Sequence, residues 1–281
     1  SFSIHAYAFG RDQDTVTDYM NKTQIEKMAH YYSSAVAARD SEAPQLPVYL
    51  EEMATQAGGG AEGLSNRFVS GFWFLHALGL AGRMGIARVT RQDLAGWSFS
   101  SGVSHYTLVG PAGWVSTATD GLPTPHPDWY LALLWRQLMG DRVLRVDMNV
   151  SETLNETIAV HAWCSAAVPR LGVRNRDARG GSVTLGYLNL GKDSTRLHLG
   201  GGAASAAPER EEFFLTAPGG DMQADAVLLN GVPLRVGRDG VLLEGPRVRG
   251  RLVMSGAPLV LPPQSYGFVV LKSVDAPACL A

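Results

Sequence analysis

The sequence predicts an α/β region followed by an all-β region. Residues 1–140 alternate between strand-like and helix-like hydrophobic periods. From about residue 141 the apolar runs become short and alternating, and turn residues separate them. The composition allows both: 281 residues at 46% hydrophobic content can bury one large core or two modest ones.

The elements of the first region follow in order. Phe2 to Phe9 alternates as a strand. A helix is expected from about Lys22 to Ala38, with Ile25, Met28, Ala29 and Tyr32 on one face and a Thr23-x-x-Glu26 capping box at its start. Pro47 to Glu52 is a short apolar run ending in two carboxylates, and Gly58-Gly59-Gly60 makes a turn. Ser65 is expected to open an apolar helix that Gly82 and Gly85 end, before a strand from Ile86 to Thr90. Residues 94–128 read as a long Gly-, Ser- and Pro-rich loop. A last helix runs from Trp129 to Met139, closed by Gly140. Strand–helix alternation implies a parallel β/α arrangement.

In the second region, runs at 142–148, 157–165, 182–190, 194–199, 225–230, 241–243, 250–254 and 266–272 read as strands of an antiparallel sandwich. Asn230-Gly231, Asp239-Gly240 and glycine pairs at 180–181 and 200–201 supply the turns. The boundary between two domains, 1–140 and 141–281, is expected there. Gly200–Ala207 reads as a low-complexity loop.

Three β/α units are too few for a closed barrel of about 250 residues or for a doubly wound sheet. A partial barrel leaves a sheet edge in water. The missing units are therefore expected upstream, on a segment or chain that completes the fold; the start at Ser1 rather than Met agrees with that.

Several function classes are excluded. With 24 Lys+Arg against 26 Asp+Glu, the net charge of −2 gives no global case for nucleic acid or anionic lipid. No uncharged apolar run reaches the roughly 18 residues of a transmembrane helix. There is no His-Glu-x-x-His or Cys-x-x-Cys spacing, so no metal and no cofactor is expected. No Gly-x-Ser-x-Gly occurs, and the glycine turn lacks the Lys-Ser/Thr of a phosphate loop. His161 and His198 read as sandwich residues, and the Arg170–Arg179 and Arg247–Arg251 clusters as solvated turns.

What remains is a carboxylate at a strand end, where parallel β/α folds gather their reactive groups. Of Glu51 and Glu52, alternation sends one side chain into the barrel mouth and the other away. His5 and Tyr7, two apart on the first strand, point the same way and would make a polar rim with Glu52; the other reading is that Glu51 and Glu52 only solvate the strand end and that His5 is structural. A carboxylate so placed can serve as nucleophile or base; a retaining glycosidase needs two, about 5–5.5 Å apart. Cys164 and Cys279 are either two buried thiols or one long-range disulfide, and spacing does not decide. Sequons begin at Asn21, Asn149 and Asn155 and favour an oxidising compartment.

Val48-Tyr49-Leu50-Glu51-Glu52 through Gly58-Gly59-Gly60-Ala61 resembles the nucleophile motif of the heparanase family of retaining glycosidases, glycoside hydrolase family 79. Gly71-Phe72-Trp73-Phe74-Leu75, Arg91-Gln92, Tyr106, Pro127-Asp128-Trp129-Tyr130-Leu131 and Pro263-Gln264-Ser265-Tyr266-Gly267-Phe268 follow in the family's order, over nearly the whole chain.

The resemblance implies the C-terminal part of a (β/α)8 TIM barrel, strands six to eight, followed by an antiparallel β-sandwich. It implies Glu52 as nucleophile, with His5 and Tyr7 hydrogen-bonding beside it. Gly58 and Gly59 would offer backbone N–H groups to a uronate carboxylate, and Gln92 and Tyr106 would line the sugar pocket. It implies a Cys164–Cys279 disulfide, a glucuronide glycan such as heparan sulfate as substrate, and a secreted or lysosomal site, with peripheral membrane association as a further option. The family's acid/base, in an Asn-Glu pair on strand four, has no counterpart here; Asn155-Glu156 lies within a sequon. Glu51 stands where the family's animal enzymes have Gly, Ala57 replaces an aromatic residue, and the 94–106 loop is longer. A non-catalytic heparanase-like paralogue that binds glycan or protein is the alternative expectation.

Overall fold

A computed structural model describes residues 1–10, 13, 15–95, 98–99, 102–110, 124–166, 181–200, 207–237, 248–254 and 256–280. They form two compact units, Ser1–Trp129 with Asp221–Ala226, and Tyr130–Gly220 with Val227–Ala281.

The first unit is a parallel sheet with helices between its strands. Strand β1 (Phe2–Phe9) leads through α1 (Val16–Tyr19), α2 (Lys22–Ile25) and α3 (Lys27–Glu42) to β2 (Val48–Gln56). Helix α4 (Ser70–Arg83) then leads to β3 (Ile86–Arg91). The order is β1-β2-β3, so β2 is central, and all pairs are parallel. Apolar side chains Ala6, Ala8, Val48, Leu50 and Met53 are buried in the sheet. In α3, Met28, Tyr32 and Ala35 form a narrow buried stripe on an otherwise polar helix. Helix α4 is buried nearly all round from Ser70 to Ala81.

The helix boundaries differ from expectation for local reasons. The capping box forms at Thr15 and Asp18 on α1, not at Thr23 and Glu26; Thr23 lies inside α2, behind Asn21 at its N-cap. The helix expected from 22 breaks at Glu26 and resumes to Glu42. Ser65 does not open α4. Its hydroxyl accepts from the Ala61 N–H at 2.8 Å, while Phe68 and Val69 N–H donate to the Ala224 and Met222 carbonyls, so residues 61–69 are turns. Gly85 follows the Met84 C-cap at φ 77°, the left-handed position that ends helices.

The 94–128 stretch contains two short ladders, β4 (Ser98–Phe99) with β5 (Gly102–Val103) and β6 (Val109–Gly110) with β7 (Thr124–Pro125). Helix α5 spans Pro127–Leu138. Gly140 does not cap it but lies in β8 (Met139–Leu144), where an added Cβ would sit 2.5 Å from the Cys164 carbonyl oxygen.

The second unit is built on an antiparallel sheet. After β8 and the short α6 (Glu152–Asn155) come β9 (Ile158–Ser165), β10 (Val183–Asn189), β11 (Thr195–Leu197) and β12 (Glu209–Thr216). Then follow β13 (Leu228–Leu229), β14 (Val232–Pro233), β15 (Arg251–Met254), β16 (Leu259–Leu261) and β17 (Ser265–Lys272). The main sheet runs β14-β13-β12-β17-β10-β9-β8, with β15 on β12. Strand β10 is buried at every position, as expected of a strand covered on both faces. Over one face, Leu259 and Leu261 of the β11–β16 pair share a core with Ile158, Leu185, Val269 and Leu271. Elsewhere in this unit Trp135 of α5 packs edge-on against Trp163 and Phe268. Among the described residues, the second sheet is therefore a two-stranded pair.

Strand β12 is absent from the expected runs, and so is β16. Residues 209–212 are all charged, which hides β12's alternation, yet Arg210 and Glu212 are buried. The Glu212 carboxylate accepts from Arg210 Nε at 2.8 Å and from Arg251 Nη2 at 2.5 Å. Arg251 is thus paired on a strand rather than sitting in a solvated turn. Asn230 and Gly231, both at positive φ, make the two-residue hairpin between β13 and β14. The runs at 241–243, the Asp239-Gly240 turn, the Arg170–Arg179 cluster and most of Gly200–Ala207 lie outside the described residues. Cys164 and Cys279 form a disulfide across 115 residues, which settles the choice that spacing left open. No helix among the described residues is long and apolar enough to cross a membrane.

Candidate functional site

The site begins with an irregularity in the central strand. Ile4 pairs with Leu50 and the next residue, His5, with Glu52, so Glu51 is an extra residue against β1. The ladder to β3 shifts in the same stretch, where Leu50 meets Val89 and Met53 meets Arg91. Such a bulge re-aims side chains. Ser3 and Tyr7 share one face of β1 by alternation. The Ser3 hydroxyl donates to Glu51 Oε2 at 2.6 Å, and the Tyr7 hydroxyl donates to Glu52 Oε1. Both carboxylates therefore reach the same face. Simple alternation would have separated them, and the bulge is the reason it does not.

Around Glu52 the expected residues come together. His5 Nδ1 lies 3.8 Å from Glu52 Oε2; Glu52 is 29% exposed and His5 58%. Burial holds the Tyr7 phenol well above its ordinary range, and the hydrogen bond to Glu52 and its charge add to this. Tyr7 therefore remains a donor across the physiological range. Gln92 donates its backbone N–H to the Met53 carbonyl at 3.0 Å, beside Glu52. The Gln92 side chain lies close enough to act on the Tyr106 phenol. Burial raises the Tyr106 phenol and Gln92 opposes the rise, while Asp93 and Glu52 add like-charge repulsion.

The glycine turn reaches the same place. Gly58, Gly59 and Gly60 all have positive φ, at 79°, 106° and 82°. The Gly59 carbonyl accepts from the backbone N–H of His105 at 2.5 Å and of Tyr106 at 3.2 Å. A Cβ on Gly60 would lie 2.8 Å from Ser65 Oγ and 3.2 Å from Tyr106 Cβ. Ser65 also bonds Thr55 at 2.7 Å and Tyr19 at 3.0 Å, and Tyr19 stacks on Phe9. The turn is thus anchored from β1, β2 and α1.

A buried arginine is the part that motif reading left without a role. Arg91 Nη2 donates to Asp128 Oδ2 at 2.9 Å and to the Tyr106 carbonyl at 3.0 Å. Its guanidinium lies 4.8 Å from the ring centroids of both Trp73 and Phe74. Ser70 Oγ donates to the same Asp128 oxygen at 2.8 Å. Burial pushes the Asp128 carboxyl up, opposed by Arg91 and Ser70. No spacing in the sequence links positions 91 and 128; the one local signal is an arginine at a strand's end.

The other expected positions are on other elements. Asn21, Asn149 and Asn155 are exposed, with Ser151 capping α6 between the last two. Cys164 and Cys279 belong to the second unit. Among the described residues no group of three His, Cys, Asp or Glu side chains is arranged to hold a metal ion.

No family model matches the chain. Individual proteins do. A heparanase of Gallus gallus is 31% identical over 277 residues, covering 98% of this chain and 47% of that protein. The "inactive heparanase-2" of Mus musculus is 28% identical over 275 residues, covering 95% of this chain and 40% of that protein. A hyaluronoglucuronidase of Hirudo nipponia is 25% identical over 282 residues, covering 99% and 51%. The chain thus spans about half, or less, of the length of these relatives. Among solved structures, a 4-O-α-L-rhamnosyl-β-D-glucuronidase of Fusarium oxysporum has a TM-score of 0.60 at 13% identity, covering 96% of this chain and 52% of that one. An α-L-arabinofuranosidase of Thermotoga maritima has a TM-score of 0.56 at 13% identity, covering 96% and 52%. These two likenesses concern the fold alone. Matched along almost its entire length to heparanases and a hyaluronoglucuronidase, the chain belongs to the heparanase-like family, glycoside hydrolase family 79.

Proposed function

We propose that the full-length protein is a retaining glycoside hydrolase. It cleaves β-glucuronosyl linkages in heparan sulfate-like or other glucuronide-containing glycans, with Glu52 as nucleophile. One observation carries the reading: a partly exposed strand carboxylate, next to a bulge in the central strand, with a tyrosine donor on one oxygen and a histidine 3.8 Å from the other. The names of the matched heparanases and hyaluronoglucuronidase support the substrate class. In this reading β1, β2 and β3 are the sixth to eighth strands of a (β/α)8 barrel, and the face bearing Glu52 is its interior. The protein is a secreted or lysosomal glycoprotein whose upstream segment completes that barrel.

In the first step a Glu52 oxygen attacks the anomeric carbon as the bond to the leaving glycan oxygen breaks. That oxygen takes a proton from a second carboxylic acid, and a glycosyl–enzyme forms. In the second step the same group, now a base, removes a proton from water, which releases the sugar and frees Glu52. The second carboxylic acid comes from outside this chain. Tyr7 and His5 orient Glu52, Gly58 and Gly59 present backbone to the uronate carboxylate, and Gln92 and Tyr106 line the sugar pocket.

The test is Glu52→Gln in the full-length protein, assayed on an aryl β-glucuronide. Turnover falls roughly 10³-fold or more, as for loss of a nucleophile. Glu51→Gln, on the same face but bound to Ser3, changes it by less than about tenfold. Unchanged hydrolysis by the Glu52 variant ends the assignment. A second reading is favoured by the match to an inactive heparanase-2: a non-catalytic paralogue that binds glycan or protein. Retention on heparin with no turnover by the unmodified full-length protein selects it.

A further inference from the structure

We propose that Arg91 is the positioning residue of this site, acting through Tyr106. The inference rests on the site reading above and adds how the pocket wall is held.

Tyr106 is gripped at both ends of its peptide unit. Its N–H donates to the Gly59 carbonyl, and its own carbonyl accepts from Arg91 Nη2 at 3.0 Å. Its Cβ lies beside the glycine turn at Gly60, and Gln92, the residue after Arg91, acts on its phenol. Tyr106 is 6% exposed and lies close enough to feel the charge of Glu52. Arg91 is held through one terminal nitrogen and its flat face, while Nε and Nη1 are buried without a hydrogen-bond partner among the described residues. The same terminal nitrogen reaches Asp128, at the start of α5, and Tyr106, while the guanidinium plane contacts two aromatic rings of α4. One planar cation therefore ties β3, α4, α5 and the loop that carries Tyr106.

Lysine cannot reproduce this. A single ammonium has enough donors for both Asp128 and the Tyr106 carbonyl, but it lacks the flat guanidinium packed against Trp73 and Phe74 that fixes the bonding nitrogen in place. Arg91→Lys thus preserves the charge balance of the buried pair while releasing Tyr106. A displacement of about 1 Å in a substrate-positioning wall costs on the order of 10²-fold in rate.

The experiment uses the full-length protein and two readouts. Hydrogen exchange across residues 104–108 reports the placement of Tyr106 whether or not the protein turns over substrate. Arg91→Lys is expected to speed exchange there at least tenfold and to leave β2 and α4 unchanged. On an aryl β-glucuronide, Arg91→Lys and Tyr106→Phe are each expected to lower kcat/KM by about 10- to 100-fold, and the double variant to lose little more than either alone. If Arg91→Lys does not fold, Arg91→Met with Asp128→Asn removes both charges and gives the same comparison. Unaltered exchange at 104–108, or fully additive losses with Tyr106→Phe, overturns the proposal. Loss of exchange protection at 104–108 in Arg91→Lys, where the wild type turns over no glucuronide, would sustain the positioning role and refute the glycosidase reading.

Discussion

The two units bury polar groups to different ends. In the first, Arg91, Asp128, Ser70, Tyr19, Thr55 and Ser65 form desolvated contacts that converge on the strand end and loops around Glu52. In the second, Glu212 bridges Arg210 on its own strand and Arg251 on β15, while Arg210 also caps the Ala257 and Pro258 carbonyls. A covalent bridge adds a tie across 115 residues. The second unit uses its buried charges to fasten neighbouring strands, and the first, in the function proposed above, uses them to aim a site. Buried networks are costly when half-satisfied, so the first unit should respond to small changes at single positions and the second chiefly to loss of its cross-links.

Removing the bridge tests the second half of that contrast and has the largest expected effect on stability. In the chain-entropy model, a loop of more than a hundred residues corresponds to about 4–5 kcal/mol. Cys164→Ala with Cys279→Ala should lower the urea midpoint of the Tyr130–Ala281 unit and erode hydrogen-exchange protection in β9 and β17. Protection in β1–β3 should hold. Equal loss in both units would mean that their stabilities are not separable in this way.

A matched pair of glycine substitutions sharpens the comparison at smaller scale. Gly60 and Gly231 have nearly the same φ, 82° and 85°. A Cβ at Gly231 meets nothing within 4 Å, whereas at Gly60 it runs into Ser65 and Tyr106. Gly231→Ala therefore costs backbone strain alone, about 1 kcal/mol. Gly60→Ala adds steric displacement of the glycine turn and is expected to cost about 2–3 kcal/mol, together with activity. Thermal unfolding of the two variants checks the ranking, and equal shifts would show that Ser65 and Tyr106 yield freely.

Much of this was legible in sequence, for definable reasons. The strand–helix alternation of residues 2–90 reports one-sided burial, and β10 and β17 are apolar enough to stand out. The glycine turn and the His5, Tyr7 and Glu52 rim were readable mainly through the family motif, since on type and spacing alone two carboxylates at a strand end have a bland reading too. What stayed hidden depends on tertiary pairing. Strand β12 carries four successive charges whose burial makes sense only once Arg251 and the 257–258 carbonyls are placed beside them. The bulge at Glu51 breaks the alternation rule from which separate faces were inferred. Arg91 and Asp128 sit 37 positions apart and become a pair only when β3 and α5 are in place.

The smallest effect concerns acid. His76, His105 and His126 all belong to the first unit, and burial lowers all three below the ordinary imidazole value. Glu26 faces His76 and partly offsets the shift, while Lys22 and Arg83 reinforce it. For His126 the Thr107 carbonyl opposes burial, and Arg67, Arg91 and His105 add to it. For His105, Glu62 opposes and Arg67 adds. A histidine that is neutral when folded and ordinary when unfolded binds more protons unfolded, so stability rises with pH across that interval. The contribution is therefore whole above about pH 6.5 and shrinks as pH falls from there towards the lowered folded values. Urea midpoints at pH 7.5 and pH 5 should show the first unit losing stability in acid. His76→Gln should flatten that slope. An unchanged slope in the variant would mean that His76 is already protonated against Glu26 in the folded protein, and that the acid response of this unit lies with the loop histidines that flank Tyr106 and Thr107.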